Sequence, residues 1–264
     1  MTGLGNYAVV NFSDRIIDGE LQSGLKELSE RFGDPETTYL GTDPYQAIKL
    51  LAKTEYDLYI VGKGGTNCVE LINGLEVPGS ACIVGYSDIT HLFPSFYSQG
   101  WRPIMGPTAG YFDIIKEESV QAFEQAFTEG SLEIAVETLN QSSDESLQGC
   151  IVCGNDIALL NSVGTEYGPR FQDKILFIEN HTSTPKMVQY WLEVYKAKGI
   201  LSRVQAVIIG HTSLNLDSLR SWSKQVETPL YHSPMFGEGN QNYPIPYGGQ
   251  ATVRSGQAVL KGFD

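Results

Sequence analysis

The chain has 264 residues, 41% hydrophobic and 11% aromatic, enough to bury the core of one globular unit or two small domains. With 18 basic and 31 acidic residues its formal charge is -13, which disfavours nucleic acid or an anionic membrane surface as a partner. No apolar run approaches the roughly twenty residues of a membrane span, and Met1-Thr2-Gly3-Leu4 has no basic segment leading into an apolar core, so a cytoplasmic location is expected.

In chain order, residues 7–12 read as a strand, 20–32 as a helix, 37–40 as a short strand and 45–53 as a second helix. Residues 57–61 form a strand entering the turn Gly62-Lys63-Gly64-Gly65, and 83–85 form the next strand, with a helix expected at 89–97. Residues 117–129 and 131–139 are expected to be helical, and the polar stretch 140–146 reads as a linker. The second half holds strands at 149–153, 175–179 and 204–210, an amphipathic helix at 186–198, and β-like segments at 250–253 and 257–260 after a turn-rich stretch. Alternation of this kind argues for an α/β fold. The expected division is an N-terminal Rossmann-like or flavodoxin-like parallel-sheet domain at 1–139, a linker at 140–148 and a smaller C-terminal α/β domain at 149–264.

The run Gly85-Tyr86-Ser87-Asp88-Ile89-Thr90, directly after the apolar Ala81-Cys82-Ile83-Val84, puts a serine where a buried strand turns into a helix. Such a position exposes Oγ at the sheet edge and aims backbone N–H groups at whatever it attacks. Ser-Asp at that turn is equally an ordinary helix N-cap. Gly64 and Gly65, at another strand end, let backbone N–H groups approach a ligand and with the Asp88 N–H could form an oxyanion hole; the plain alternative is a β-turn. Cys150 and Cys153 have CxxC spacing in a strand-like run, where residues three apart face opposite sides, so both read as structural. Cys68 and Cys82 have no histidine or acid cluster nearby; no metal and no cofactor are expected.

Several stretches together resemble the LD-carboxypeptidase family of serine peptidases, which includes the microcin C immunity proteins. They run in family order: Gly62-Lys63-Gly64-Gly65 with Leu71, Gly85 to Thr90, Gly106-Pro107, Gly154-Asn155 with Leu159-Leu160, Lys174 to Glu179, Val207-Ile208-Ile209-Gly210, and Phe236-Gly237 with Pro244-Ile245-Pro246. The resemblance implies two α/β domains with the active site between them, often in a homodimer. It implies a catalytic serine at Ser87 and a glutamate at Glu179 that orients a histidine base. Where the family has that histidine, this chain has Glu238 after Gly237. Lys63 stands for the usual arginine, Asn67 for a glycine and Met105 for a common histidine.

Two carboxylates meeting at Glu179 and Glu238 would share a proton, raising one pKa, and an ionised Glu238 could serve as the base toward Ser87. The plain alternative is a solvated loop acid in a site without a base. Lys63 could hold a substrate carboxylate as a point charge, or be a surface lysine. His232, His211 and His181 are other candidate bases, each also readable as a satisfied surface group, whereas His91 is expected to point elsewhere. Three readings follow: a serine hydrolase cutting an amide beside a free carboxylate in a peptide or peptidyl-nucleotide, a homologue that only binds such a peptide or a partner, and an acyltransferase using Ser87.

Overall fold

The computed structural model describes residues 4–12, 16, 19, 21–41, 43–52, 56–72, 76–140 and 146–263. Its strands in chain order are β1 (Tyr7–Val10), β2 (Thr37–Tyr39), β3 (Leu58–Val61), β4 (Cys82–Gly85), β5 (Arg102–Met105), β6 (Ser131–Ala135) and β7 (Glu137–Thr138). Then come β8 (Leu147–Asn155), β9 (Lys174–Asn180), β10 (Ala206–Thr212), β11 (Leu230–His232), β12 (Ile245–Pro246), β13 (Gln250–Arg254) and β14 (Gln257–Lys261). The α-helices are α1 (Gln22–Phe32), α2 (Pro44–Leu51), α3 (Phe93–Ser98), α4 (Glu117–Glu129), α5 (Asp156–Ser162), α6 (Pro185–Ala197) and α7 (Leu216–Ser223).

The first sheet has the order β12-β5-β4-β3-β1-β2, parallel except for β12. Every residue of β1, β3 and β4 is buried, as expected of strands covered on both faces. The second sheet runs β6-β14-β13-β8-β9-β10-β11-β7, with a parallel centre, β8 to β11, and antiparallel flanks. This is the expected mixed α/β architecture. Because all the central strands of each sheet are parallel, their C-terminal ends collect on one edge, where loops carry functional groups.

Residues 131–139 are not helical as expected but form β6 and β7. In β6 the buried Leu132 and Ile134 alternate with the exposed Glu133 and Ala135, a period of two. Gly130, in the left-handed conformation, closes α4 immediately before them. Since both strands pair in the second sheet, sheet membership changes ahead of the expected linker, and β12 later returns to the first sheet. The helix expected at 89–97 is split into a 3-10 turn, Ser87–His91, and the short α3, where Pro94 falls at a position whose N–H is not needed. Strands β5 and β11 and helices α5 and α7 were not anticipated. Glu20, Lys53 and residues 141–145 of the expected linker lie outside the described residues.

Asn140, expected to open that linker, is a hydrogen-bonding plug. Its Nδ2 donates to the carbonyls of Ser223 (3.1 Å), Val226 (3.2 Å) and Thr228 (3.0 Å), while its Oδ1 accepts the Leu230 N–H (2.9 Å). It therefore ties the end of β7 to the turn between α7 and β11. Asn140→Ala leaves these backbone groups unpaired and is expected to cost about 2 kcal/mol, read as a lower urea midpoint with unchanged m-value.

Candidate active site

Strand β4 ends at Gly85, Tyr86 is extended, and Ser87 then adopts φ 63° as the chain enters its 3-10 turn. A non-glycine residue in this left-handed region costs about 1–3 kcal/mol and persists only where its surroundings fix it. Those surroundings are hydrogen bonds: Thr90 Oγ1 donates to the Ser87 carbonyl (2.6 Å), and the buried Asp88 carboxylate accepts the Cys68 N–H (2.8 Å). Opposite Ser87 lies Gly64, where an ideal Cβ would sit 3.0 Å from the serine Cβ and 3.2 Å from Oγ. The missing side chain lets the 62–65 turn close over the hydroxyl.

Glu179 is buried near the end of β9, at 1% exposure. Its Oε1 accepts from Asn155 Nδ2 (3.1 Å) and its Oε2 accepts the backbone N–H of Glu238 (3.2 Å). The loop can come this close because residue 237 is glycine: its φ is +101°, and a Cβ there would lie 2.7 Å from the Glu179 Cβ. Asn155 also caps α5, accepting from the N–H groups of Ile157 and Ala158. The Asn155 N–H donates to Thr90 Oγ1 (3.2 Å). One run of hydrogen bonds thus links the Ser87 turn in the first unit to Glu179 and Glu238 in the second.

A cleft of about 310 Å3 is lined by Lys63, Gly64, Gly65, Ser87 and Glu238, with Tyr111. The structure therefore brings together the expected serine, both glycines, the lysine and Glu238, while the buried Glu179 contacts the Glu238 backbone. A second hollow of about 360 Å3 shares Gly65, Ser87 and Thr182 and adds Asp88, His91 and Asn155. Ser87 consequently stands between two hollows, an arrangement that can seat the two sides of a scissile bond. His91 lines the second hollow, with Nδ1 2.9 Å from the Asp88 carbonyl and Nε2 3.2 Å from Asn161 Nδ2, so its ring is engaged locally.

His211 and His232 line neither hollow. The ring of His211 packs 6.0 Å from that of His181 and against Gly239, and His232 lies on β11 opposite Glu137. Burial holds the pKa of both His211 and His232 below the usual value. Among the described residues no group of three His, Cys, Asp or Glu side chains is arranged to hold a metal ion.

Burial pushes the Glu179 carboxyl up to about 7, opposed by the hydrogen bonds from Asn155 and the Glu238 N–H and reinforced by the Glu238 charge. Glu238 is also raised by burial, against the pull of His181 and of the Tyr111 hydroxyl, which sits 3.5 Å from Oε1. Sequence reasoning missed Tyr111, Thr90 and Thr182 as site groups. Tyr111 comes from a 3-10 turn distant in sequence, and its ring meets that of Tyr86 at 5.3 Å; no local motif announces it. Asn155 stood in a quoted motif, but its bond to Glu179 depends on the pairing of β8 with β9, which sets Asn155 beside Glu179.

The sequence pattern of the LD-carboxypeptidase C-terminal domain matches residues 148–253. A protein of Rickettsia conorii with a carboxypeptidase designation is 30% identical over 179 residues, covering 62% of this chain and 56% of its own length. The chain thus spans little more than half of that relative. Muramoyltetrapeptide carboxypeptidase from Oxalobacter formigenes has a similar structure, with TM-score 0.78, 19% identity, and 97% and 99% coverage of the two chains. So has MccF in complex with glutamyl sulfamoyl guanosine, with TM-score 0.83, 15% identity, and 98% and 97% coverage. At such identities these two structures establish the common fold.

A carboxyl whose pKa is raised from 4.5 to about 7 on folding makes the folded state bind the extra proton. Its contribution to stability is complete below the unfolded pKa and is lost as pH rises through 7. Glu179→Gln is therefore expected to flatten the decline in stability between pH 4.5 and 7, measured by urea denaturation across that range.

Proposed function

We propose that the chain is a serine hydrolase of the LD-carboxypeptidase type, cutting an amide bond beside a free carboxylate with Glu238 in the role of base, a reading supported by the match of residues 148–253 to the LD-carboxypeptidase C-terminal domain. The observation that carries this reading is Ser87: a left-handed serine at a strand end, facing Gly64 and sharing its cleft with Glu238. Backbone strain of this kind is maintained where it orients a reacting group.

In the proposed reaction the ionised Glu238 carboxylate takes the Ser87 Oγ proton as Oγ bonds to the amide carbon. The developing oxyanion is received by backbone N–H groups at Gly64, Gly65 and Asp88, each worth about 3 kcal/mol in a dry site. The C–N bond then breaks, and the proton on Glu238 passes to the leaving amine. Water, deprotonated by the same carboxylate, cleaves the acyl-serine and restores both groups. Glu179 positions Glu238 through its backbone N–H and, by its own burial, favours the protonated form, so that the negative charge falls on the cleft-lining Glu238. Lys63 anchors the substrate carboxylate by charge.

The substrate class proposed is a peptidoglycan-derived peptide or a peptidyl-nucleotide. Support comes from the relatives: one is named a muramoyltetrapeptide carboxypeptidase, and another is complexed with glutamyl sulfamoyl guanosine. No helix among the described residues is long and apolar enough to cross a membrane. The same reading includes a homodimer, for which sedimentation of the purified chain is the check.

A fluorophosphonate probe tests the mechanism. Labelling should require Ser87, rise as Glu238 ionises above the ordinary carboxylate range, and fall by about a hundredfold or more in Glu238→Gln. Glu238→His should increase labelling near neutral pH by about tenfold, because imidazole is the stronger base there. Ligand-induced stabilisation without labelling at any pH would establish a binding protein instead; turnover of an acyl donor only with added amine would establish an acyltransferase.

A further inference from the structure

A larger hollow than the Ser87 cleft lies at the other ends of the same strands. It measures about 520 Å3 and opens beside Lys174, the first residue of β9. Glu179 is five residues further along, so at about 3.3 Å per residue Lys174 is about 16 Å from Glu179 along the strand. Nothing in the proposed hydrolysis uses this hollow.

One wall is aromatic. The rings of Phe93 and Tyr247 are 6.2 Å apart and those of Tyr247 and Tyr97 5.5 Å apart, with Tyr97 left 47% exposed on the cavity side. Tyr97 packs against Gly248, where any side chain would run into its ring. Tyr167 adds another ring from the loop between α5 and β9. Arg170 and Lys174 supply the cations, with Glu166 as the carboxylate in the lining. Neither cation is hydrogen-bonded or ion-paired through its side chain to a described residue. In a chain of net charge -13, two unpaired cations beside three tyrosine rings form a local exception to the overall field.

The cavity also sits on the seam between the two sheets. Its floor includes Tyr247, whose N–H donates to the Pro103 carbonyl of β5, and Gly248, whose N–H donates to the Ile151 carbonyl of β8, both at 2.8 Å. A ligand there would touch α3 of the first unit and β8 of the second at once.

We propose that this cavity is a second ligand site, binding a planar aromatic compound that carries an anionic group. The ring would rest against Tyr97, Tyr167 and Tyr247, and the anion on the Arg170 guanidinium and the Lys174 ammonium. The volume lies within the range of small-molecule sites, and an apolar wall with a few converging charged groups is their usual composition.

Calorimetric titration of the full chain with phenyl phosphate tests the assignment. Phenyl phosphate should bind wild type and Ser87→Ala with affinities within about twofold, and Arg170→Ala/Lys174→Ala about tenfold or more weakly. Tyr97→Ala, a surface truncation, should weaken binding several-fold while Arg170 and Lys174 remain. Phenol, which has the ring without the charge, and inorganic phosphate, which has the charge without the ring, should each bind at least about tenfold more weakly. The proposal is overturned if the double variant binds like wild type, if Ser87→Ala abolishes binding, if inorganic phosphate binds as tightly as phenyl phosphate, or if no binding occurs up to about 10 mM. Equal melting temperatures of wild type and variants establish that any loss is local.

Discussion

The buried carboxylate of Glu179 is the constraint around which the site is built. Among the described residues no cation pairs with it, and both its oxygens are satisfied by neutral donors, Asn155 Nδ2 on one side and the Glu238 N–H on the other. A carboxylate withdrawn from water without a counter-charge is costly, and the two hydrogen bonds offset only part of that cost, which is why its pKa rises. Each donor is itself held elsewhere: Asn155 by capping α5 and by Thr90, Glu238 by the tight approach that Gly237 permits. Displacing Glu179 would release the loop bearing Glu238 and the contact from Asn155 toward the Ser87 turn.

This arrangement makes the two units mutually dependent. Thr90 belongs to the turn after β4, yet it accepts a hydrogen bond from the backbone of Asn155 on β8 and donates to the carbonyl of Ser87. The strained φ of Ser87 is therefore supported partly from the second unit. The return of β12 to pair with β5 adds a second tie, and the Tyr247-Gly248 strap continues it into the second sheet. Hinge-like separation of the two units would break these hydrogen bonds and uncover the apolar surfaces around them, so the seam is a stable part of the fold.

A carboxylate at residue 238 sets two acids into one site. The backbone of residue 238 engages Glu179, and its side chain lines the cleft. The two acids share one environment with the buried Tyr86 and the partly buried Tyr111 at its edge. Burial raises both carboxyls, but Glu238 also feels His181 and the Tyr111 hydroxyl, which favour its charged form. That asymmetry is the physical basis for giving the two glutamates different roles.

Sequence by itself determined the α/β character, because fully apolar strands such as Leu58–Val61 and Cys82–Gly85 read as buried on both faces, and it set Ser87 and Gly64 at strand ends through local turn signals, while the family resemblance pointed to Glu179. It misread 131–139 as helix because a favourable helical composition follows α4 directly; the period-two burial becomes decisive only when β14 is there to pair with it. Tertiary structure alone decided that Glu238 touches Glu179, that Tyr111 reaches the cleft, and that His211 and His232 stay out of it. The reason is that these contacts join segments more than fifty residues apart, and their existence depends on strand register and on how two sheets meet, neither of which any short stretch of sequence encodes.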